Sequence, residues 1–335
     1  SVLDQEKIDK TLINLDGTEQ KKRLGANTIL SVSLAASKAA AIFKKIPLYK
    51  SIANGKILPL PLMNVINGGA HANNSLRIQE FMIRPDSAKS FNQAIHMCFL
   101  VIQNLKILIT KKNLPTTVGD EGGFAPSLPN NEEAIEFILT AIDKAGFKSG
   151  SDISICLDVA ANELYKDKKY AVNSTRLISS GKTIEYYQDL IKKYPIKSIE
   201  DPFFEDDWDT WVNFTKVVDK SVQIVGDDLF VTNKKRLING VNLKAANTIL
   251  IKPNQIGTLT ETLDVINLAH KHNFKTIISH RSGDSEDTFI SDLSVATKSS
   301  QIKTGSLTRS ERVAKYNRLL RIEDELGKLA KIAKV

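Results

Sequence analysis

The chain has 335 residues, more than one typical domain, and carries 46 lysines and arginines against 38 acids for a net charge of +8. Its 42% hydrophobic and 25% charged content is that of an ordinary globular protein and excludes a disordered or disulfide-stapled one. The basic residues are spread through the chain instead of forming one block with aromatics, so nucleic acid is not an expected partner. The two cysteines, Cys98 and Cys156, fall in apolar stretches, which fits a reducing cytoplasm. No apolar run approaches the ~18 residues that a membrane span needs, and the first ten residues contain no leader-like apolar stretch.

In chain order, Val2 to Leu12 reads as a short helix followed by polar, irregular residues to about position 20. Ala26 to Lys45 is alanine-rich with apolar residues at helical spacing, and Ile46-Pro47 stops it. Tyr49 to Lys56 reads as a second short helix and linker. A strand is expected from Leu58 to Met63, then a loop from Asn64 to Ala72 whose Gly68-Gly69 pair lets the backbone turn tightly. Gln79 to Ile83 follows as a strand and Phe91 to Lys112 as a long amphipathic helix. Val118 to Pro126 is a second acidic loop bracketed by glycines, and Asn131 to Gly146 is a helix.

From Ile153 to Lys303 one pattern recurs six times: a short β-branched run, then a residue able to do chemistry, then a helical stretch. The six endings are Asp158, Glu200, Asp227, Lys252, the His280-Arg281-Ser282 run and Lys303. Tyr316 to Ala333 is expected to close the chain as a charged, leucine-bearing helix. Alternating βα units imply a parallel sheet, and closing it into a barrel brings the carboxyl ends of all strands to one mouth. A single acid after a strand is commonly a helix N-cap. Three successive acidic endings followed by two lysines instead suggest a hard-cation site beside an anion site.

Several motifs add a resemblance. Asn67-Gly68-Gly69-Ala70-His71-Ala72, Gln79-Glu80-Phe81-Met82 and Gly119-Asp120-Glu121-Gly122-Gly123-Phe124-Ala125-Pro126 occur in that order. Glu200-Asp201-Pro202, Gly226-Asp227-Asp228-Leu229, Asn254-Gln255-Ile256-Gly257-Thr258, Ser279-His280-Arg281-Ser282-Gly283 and Ala314-Lys315-Tyr316-Asn317 follow. Together they resemble the enolase (phosphopyruvate hydratase) family from about Asp16 to Leu326.

The resemblance implies an α/β fold: a TIM-type βα barrel with an antiparallel second strand at residues 57–335. Residues 1–56 would be a mainly helical remnant of an α+β amino-terminal domain, because the likeness begins after the strands and serine-bearing loop with which the family opens. It further implies magnesium-dependent dehydration of 2-phospho-D-glycerate to phosphoenolpyruvate, with Asp158, Glu200 and Asp227 as Mg²⁺ ligands. Lys252 would be the base, its pKa lowered by the ion, Lys303 and burial. Glu121 would be the acid, with Glu80 beside it, and His71 and His280 match further active-site positions. His71, Glu80, Lys252, His280, Arg281, Ser282 and Lys303 would contact the phosphorylated substrate. The family also implies a homodimer or larger homo-oligomer in the cytoplasm, with secretion or surface display requiring no signal peptide. The rival expectation is a barrel kept as a non-catalytic binding protein or surface adhesin.

Overall fold

The computed structural model describes residues 1–335. Eight strands close into a barrel: β1 (Leu60–Asn67), β2 (Glu80–Arg84), β3 (Ser154–Asp158), β4 (Ile196–Glu200), β5 (Gln223–Gly226), β6 (Thr248–Ile251), β7 (Lys275–Ser279) and β8 (Gln301–Lys303). They neighbour one another in sequence order, and β8 pairs with β1 to close the ring. Every pairing is parallel except β1–β2 and β2–β3, so β2 alone runs backwards. Its first residue, Glu80, therefore sits opposite Asp158 at the last position of β3, and its last, Arg84, opposite Ser154 at the first.

Because side chains alternate along a strand, each strand offers one row to the barrel interior and one to the outer helices. The inward middle layer is the small apolar cluster of Leu62, Met82, Cys156, Val225, Leu250 and Ile277. The outward rows, such as Phe81, Ile83, Ile155, Leu157, Ile249 and Ile251, join the main core beneath the helices. Both faces are buried, which is why these strands read as continuous β-branched runs.

The helices before the barrel are α1 (Gln5–Asp16), α2 (Ala26–Lys44) and α3 (Leu48–Ile52). The first begins later than expected, at the Asp4 cap whose side chain accepts from Lys7 N, and ends at Gly17 in the left-handed region. The second stops at Lys45, whose positive φ does what the following proline alone was expected to do. These helices are tied to the barrel by polar contacts. Asp9 Oδ2 accepts from Thr260 N at 2.9 Å, Ser33 Oγ from Leu259 N at 2.9 Å, and the buried Lys21 reaches Glu261 at 2.9 Å.

Between β2 and β3 lie α4 (Phe91–Lys111) and α5 (Asn131–Lys144), packed on each other. Both α2 and α4 are long and apolar enough to cross a membrane by length and composition, which corrects the expectation that no stretch approaches this. In the fold α4 buries Met97, Cys98, Val101, Leu105 and Ile109, and α2 packs against α1 and α3. After β3 a small antiparallel meander, Tyr165–Ser179, interrupts the βα rhythm where none was expected.

The remaining helices are α6 (Ser180–Lys193), α7 (Trp208–Val217), α8 (Lys234–Leu243), α9 (Pro253–Ile256), α10 (Leu259–Lys271), α11 (Phe289–Ala296) and α12 (Ser310–Leu326). The last starts and ends earlier than the expected 316–333. Lys331–Ile332 instead forms a short parallel pair with Ile57–Leu58.

Candidate active site

One cavity of about 180 Å³ opens at the carboxyl ends of the parallel strands. Its walls hold seven carboxylates, Glu80, Glu121, Asp158, Glu163, Asp201, Asp227 and Asp228, against three cationic side chains, Lys252, Arg281 and Lys303. Such an imbalance is costly in a buried place unless something positive answers it.

The centre is Lys303, at the end of β8 and 3% exposed. Its Nζ lies 2.7 Å from Asp158 Oδ2, 2.9 Å from Glu200 Oε1 and 3.2 Å from Glu80 Oε1. Those three acids stand side by side because Glu80 pairs with Asp158 and Asp158 with Glu200 in the strand register. Burial works to pull the Lys303 ammonium down, but the surrounding Asp158, Glu200 and Glu80 push it well above its usual range.

Asp227 follows β5 and turns to a different partner. Its Oδ2 is ion-paired with Lys252 Nζ, and its Oδ1 accepts from Gln255 Nε2 at 3.0 Å. Asp201 accepts the backbone N–H groups of Asp227 and Asp228 at 2.9 and 2.8 Å, which fixes the bend after β5. Of the expected trio, Asp158 and Glu200 share Lys303 while Asp227 takes Lys252, and Asp201, Asp227 and Asp228 bring carboxylate oxygens within 4.8 Å of one another.

The donor set nevertheless fits a hard divalent ion. All groups offer oxygen, Glu200 Oε2 is buried with no partner, and burial with Asp158 beside it raises Glu200 well above the carboxylate range. Burial and Asp227 likewise push Asp228 up to about 6. In this arrangement burial and Lys303 pull Lys252 down as expected, yet direct contact with Asp227 outweighs them and raises it.

Across the cavity, His71, Glu80 and Glu121 converge. His71 Nδ1 lies 3.6 Å from Glu80 Oε1 and 3.9 Å from Glu121 Oε1. Glu121 Oε1 is 3.1 Å from His280 Nε2, and its Oε2 receives a weak bond of 3.4 Å from Asn64 Nδ2. Burial and the neighbouring Glu121 charge push Glu80 well above its ordinary value. In Glu121 burial also acts upward, but His280, Lys303 and His71 outweigh it and hold the group well below. Two adjacent carboxyls thus differ in proton affinity, Glu80 having the higher and Glu121 the lower.

The loop bearing Glu121 is pressed against its neighbours so closely that side chains cannot be accommodated. A Cβ at Gly119 would lie 2.6 Å from His71 O, and one at Gly122, where φ is +86°, 2.3 Å from Thr308 Oγ1. Arg281 and Ser282 are exposed at the rim, with Arg281 Nη1 3.2 Å from Asn254 Oδ1.

All the expected site residues therefore face this mouth: His71, Glu80, Glu121, Asp158, Asp227, Lys252, His280, Arg281, Ser282 and Lys303 line it, and Glu200 joins through Lys303. Sequence reasoning missed Arg312, Gln255 and the positional part of Asp201. The Asp201 signal was present in the acid doublet Glu200-Asp201. Arg312 had none, since it reads as one more charge on a polar helix.

Residues 55–334 match the family described as enolase, C-terminal TIM barrel domain, and residues 1–52 match the enolase N-terminal domain. The enolase of Pelagibacter ubique (strain HTCC1062) is 61% identical over 337 residues, covering 100% of this chain and 80% of that protein. The chain belongs to the enolase family. It is a carbon–oxygen lyase of that family, and no feature of the mouth favours the alternative of a barrel kept only for binding. The antiparallel β2, expected from the resemblance, is present, and with it Glu80 reaches the enolase mouth from a strand that would otherwise end there in Arg84.

Proposed function

We propose that this chain dehydrates 2-phospho-D-glycerate to phosphoenolpyruvate, and catalyses the reverse hydration, as the enolase step of glycolysis and gluconeogenesis. The observation that carries the reading is the grouping around one small cavity of a buried lysine, a carboxyl pair of unequal proton affinity and an exposed Arg281-Ser282 rim. Family membership supports the same reaction.

In this reading Lys252 Nζ, in its neutral form, takes the proton from C2. The electron pair of the C2–H bond forms the C2=C3 double bond, and the hydroxyl on C3 departs with a proton from Glu121 as water. Glu80, the carboxyl of higher proton affinity, passes the proton to Glu121 that this step consumes, and His71 borders both carboxyls. Arg281 and Ser282 take the phosphate, for which a guanidinium fork is suited. Lys303 faces the substrate carboxylate, and His280 Nε2 sits 3.1 Å from Glu121 Oε1.

Asp158, Glu200 and Asp227 would hold Mg²⁺, which when bound supplies the positive charge that a carboxylate losing its α-proton requires. Removing Asp227 from Lys252 in favour of a cation also removes the contact that raises the lysine.

We further assign residues 1–56 to an amino-terminal helical unit and 57–335 to the barrel, with a homodimer or higher homo-oligomer and a cytoplasmic location following from the family. The test is a phosphoenolpyruvate assay on the full-length protein with Mg²⁺ and again after chelation. Metal-dependent product supports the reading, and full activity in chelator overturns the metal assignment.

A further inference from the structure

Arg312, in the first turn of α12, is 1% exposed. Its nearest acid is Glu311, at 3.6 Å from Nε. The guanidinium instead works as a multiple donor. Nη1 contacts His280 Nδ1 at 2.6 Å and donates to Arg281 O at 2.7 Å, while Nη2 donates to Ser282 O at 2.5 Å and to Asp120 O at 3.3 Å. One side chain thereby joins the loop carrying Glu121 to the run carrying the phosphate contacts. Gly305 makes room for it, since a Cβ there would lie 2.9 Å from Arg312 Cδ.

A guanidinium has donors only and stays charged in proteins. The nitrogen it faces, His280 Nδ1, must therefore be the lone-pair side of the ring. The ring proton is left on Nε2, which lies 3.1 Å from Glu121 Oε1. We propose that Arg312 is a positioning residue for the lyase reaction: it locks His280 in the neutral Nε2–H tautomer, so that His280 is a permanent donor to Glu121. Without that cation the ring could flip its tautomer and present a lone pair to the carboxylate, a repulsive contact that moves Glu121. Burial and the Arg312 charge also hold His280 below its usual pKa, in keeping with a neutral ring.

The kinetic part of this inference rests on the proposed role of Glu121, whereas the tautomer part does not. The protein has five histidines, so ¹⁵N-histidine labelling of the full-length protein, with His280→Gln to assign the signal, reads both ring nitrogens. The expected result is a bare Nδ1 and a protonated Nε2 in the wild type, and mixed tautomers in Arg312→Met. A protonated Nδ1 in the wild type, or an unchanged Nε2–H tautomer in a folded Arg312→Met, overturns the proposal.

At saturating substrate and Mg²⁺, Arg312→Met should lower the dehydration rate about 100-fold, the size of a lost general-acid contribution. Exchange of the C2 proton with deuterium, which depends on Lys252, should fall less than about threefold. Arg312→Lys, which keeps a buried cationic donor, should restore part of the dehydration. Parallel loss of exchange and dehydration would mean a merely structural role. Absence of any dehydration by the wild type would sink the proposed reaction and leave the tautomer measurement to decide the Arg312 assignment alone.

Discussion

The two ends of the barrel are both polar, and they are polar in opposite ways. At the end away from the mouth, Arg84 is buried between β2, β5 and β8, with Nη1 2.5 Å from Gln223 Oε1 and 3.2 Å from Gln301 Oε1, and Nε bonded to Asp86 Oδ1 at 2.5 Å. One charge is matched by one acid and two neutral acceptors. At the mouth, seven carboxylates surround three cations, and Glu80 Oε2, Glu200 Oε2 and Asn64 Oδ1 are buried with no partner. The plug leaves only neutral groups, Ser154 Oγ and Gln301 Nε2, without partners and has its charge matched, whereas the unmet carboxylate oxygens of the mouth are capacity reserved for a ligand. The same strand, β2, contributes to both, since reversing its direction exchanges Glu80 and Arg84 between the ends.

If that contrast is right, substitutions at the two ends should move different observables. The largest effect is expected at the mouth: Asp227→Ala should abolish Mg²⁺ binding in calorimetry, since it removes a charged oxygen donor and frees Lys252 to repel the ion. Unaltered affinity would remove Asp227 from the ligand set. At the other end, Arg84→Met should cost about 3 kcal/mol of stability by leaving Asp86 and two glutamines unpaired, with kcat unchanged. Denaturant melts and steady-state rates on the same preparation check both halves, and a lost kcat in a stable variant would erase the distinction.

A smaller effect of opposite sign is expected from Glu200→Gln in metal-free buffer. Removing one of the mutually repelling acids should raise stability by about 1 kcal/mol while weakening the metal site. A drop in melting temperature there would show that the mouth acids are balanced as they stand. The smallest effect concerns the apolar layer between the two ends. Burial pushes the Cys156 thiol up to about 12, so at about pH 8 it should resist thiol reagents in the native protein and react fully once unfolded.

Much of this contrast is legible in the sequence, but unevenly. The strands announce themselves because both faces are buried and each run is apolar, and the residue closing each run, from Asp158 to Lys303, lies at the mouth because parallel strands share a direction. The reversal of β2 is not legible from its own residues. Gln79 to Ile83 looks the same in either direction, and only the likeness to the enolases supplied it.

Pairings across the cavity were also out of reach. Lys252 meets Asp227, not a free solvent shell, because neighbouring strands set them side by side, and Glu121 is held lower than Glu80 because His280 lies against it. The hairpin at 165–179 was absorbed into a generic βα unit. Arg312 stayed hidden because helical charge spacing in α12 does not say which turn is buried.

The central claim is that the mouth divides the reaction between Lys252 on one side and Glu121 on the other. It is tested most directly by following C2 deuterium exchange and phosphoenolpyruvate formation together in Lys252→Ala and Glu121→Gln, each loaded with Mg²⁺. The account predicts that Lys252→Ala loses both by at least about a hundredfold, while Glu121→Gln loses product formation and keeps exchange. Exchange that survives in Lys252→Ala, or vanishes equally in both variants, would contradict it.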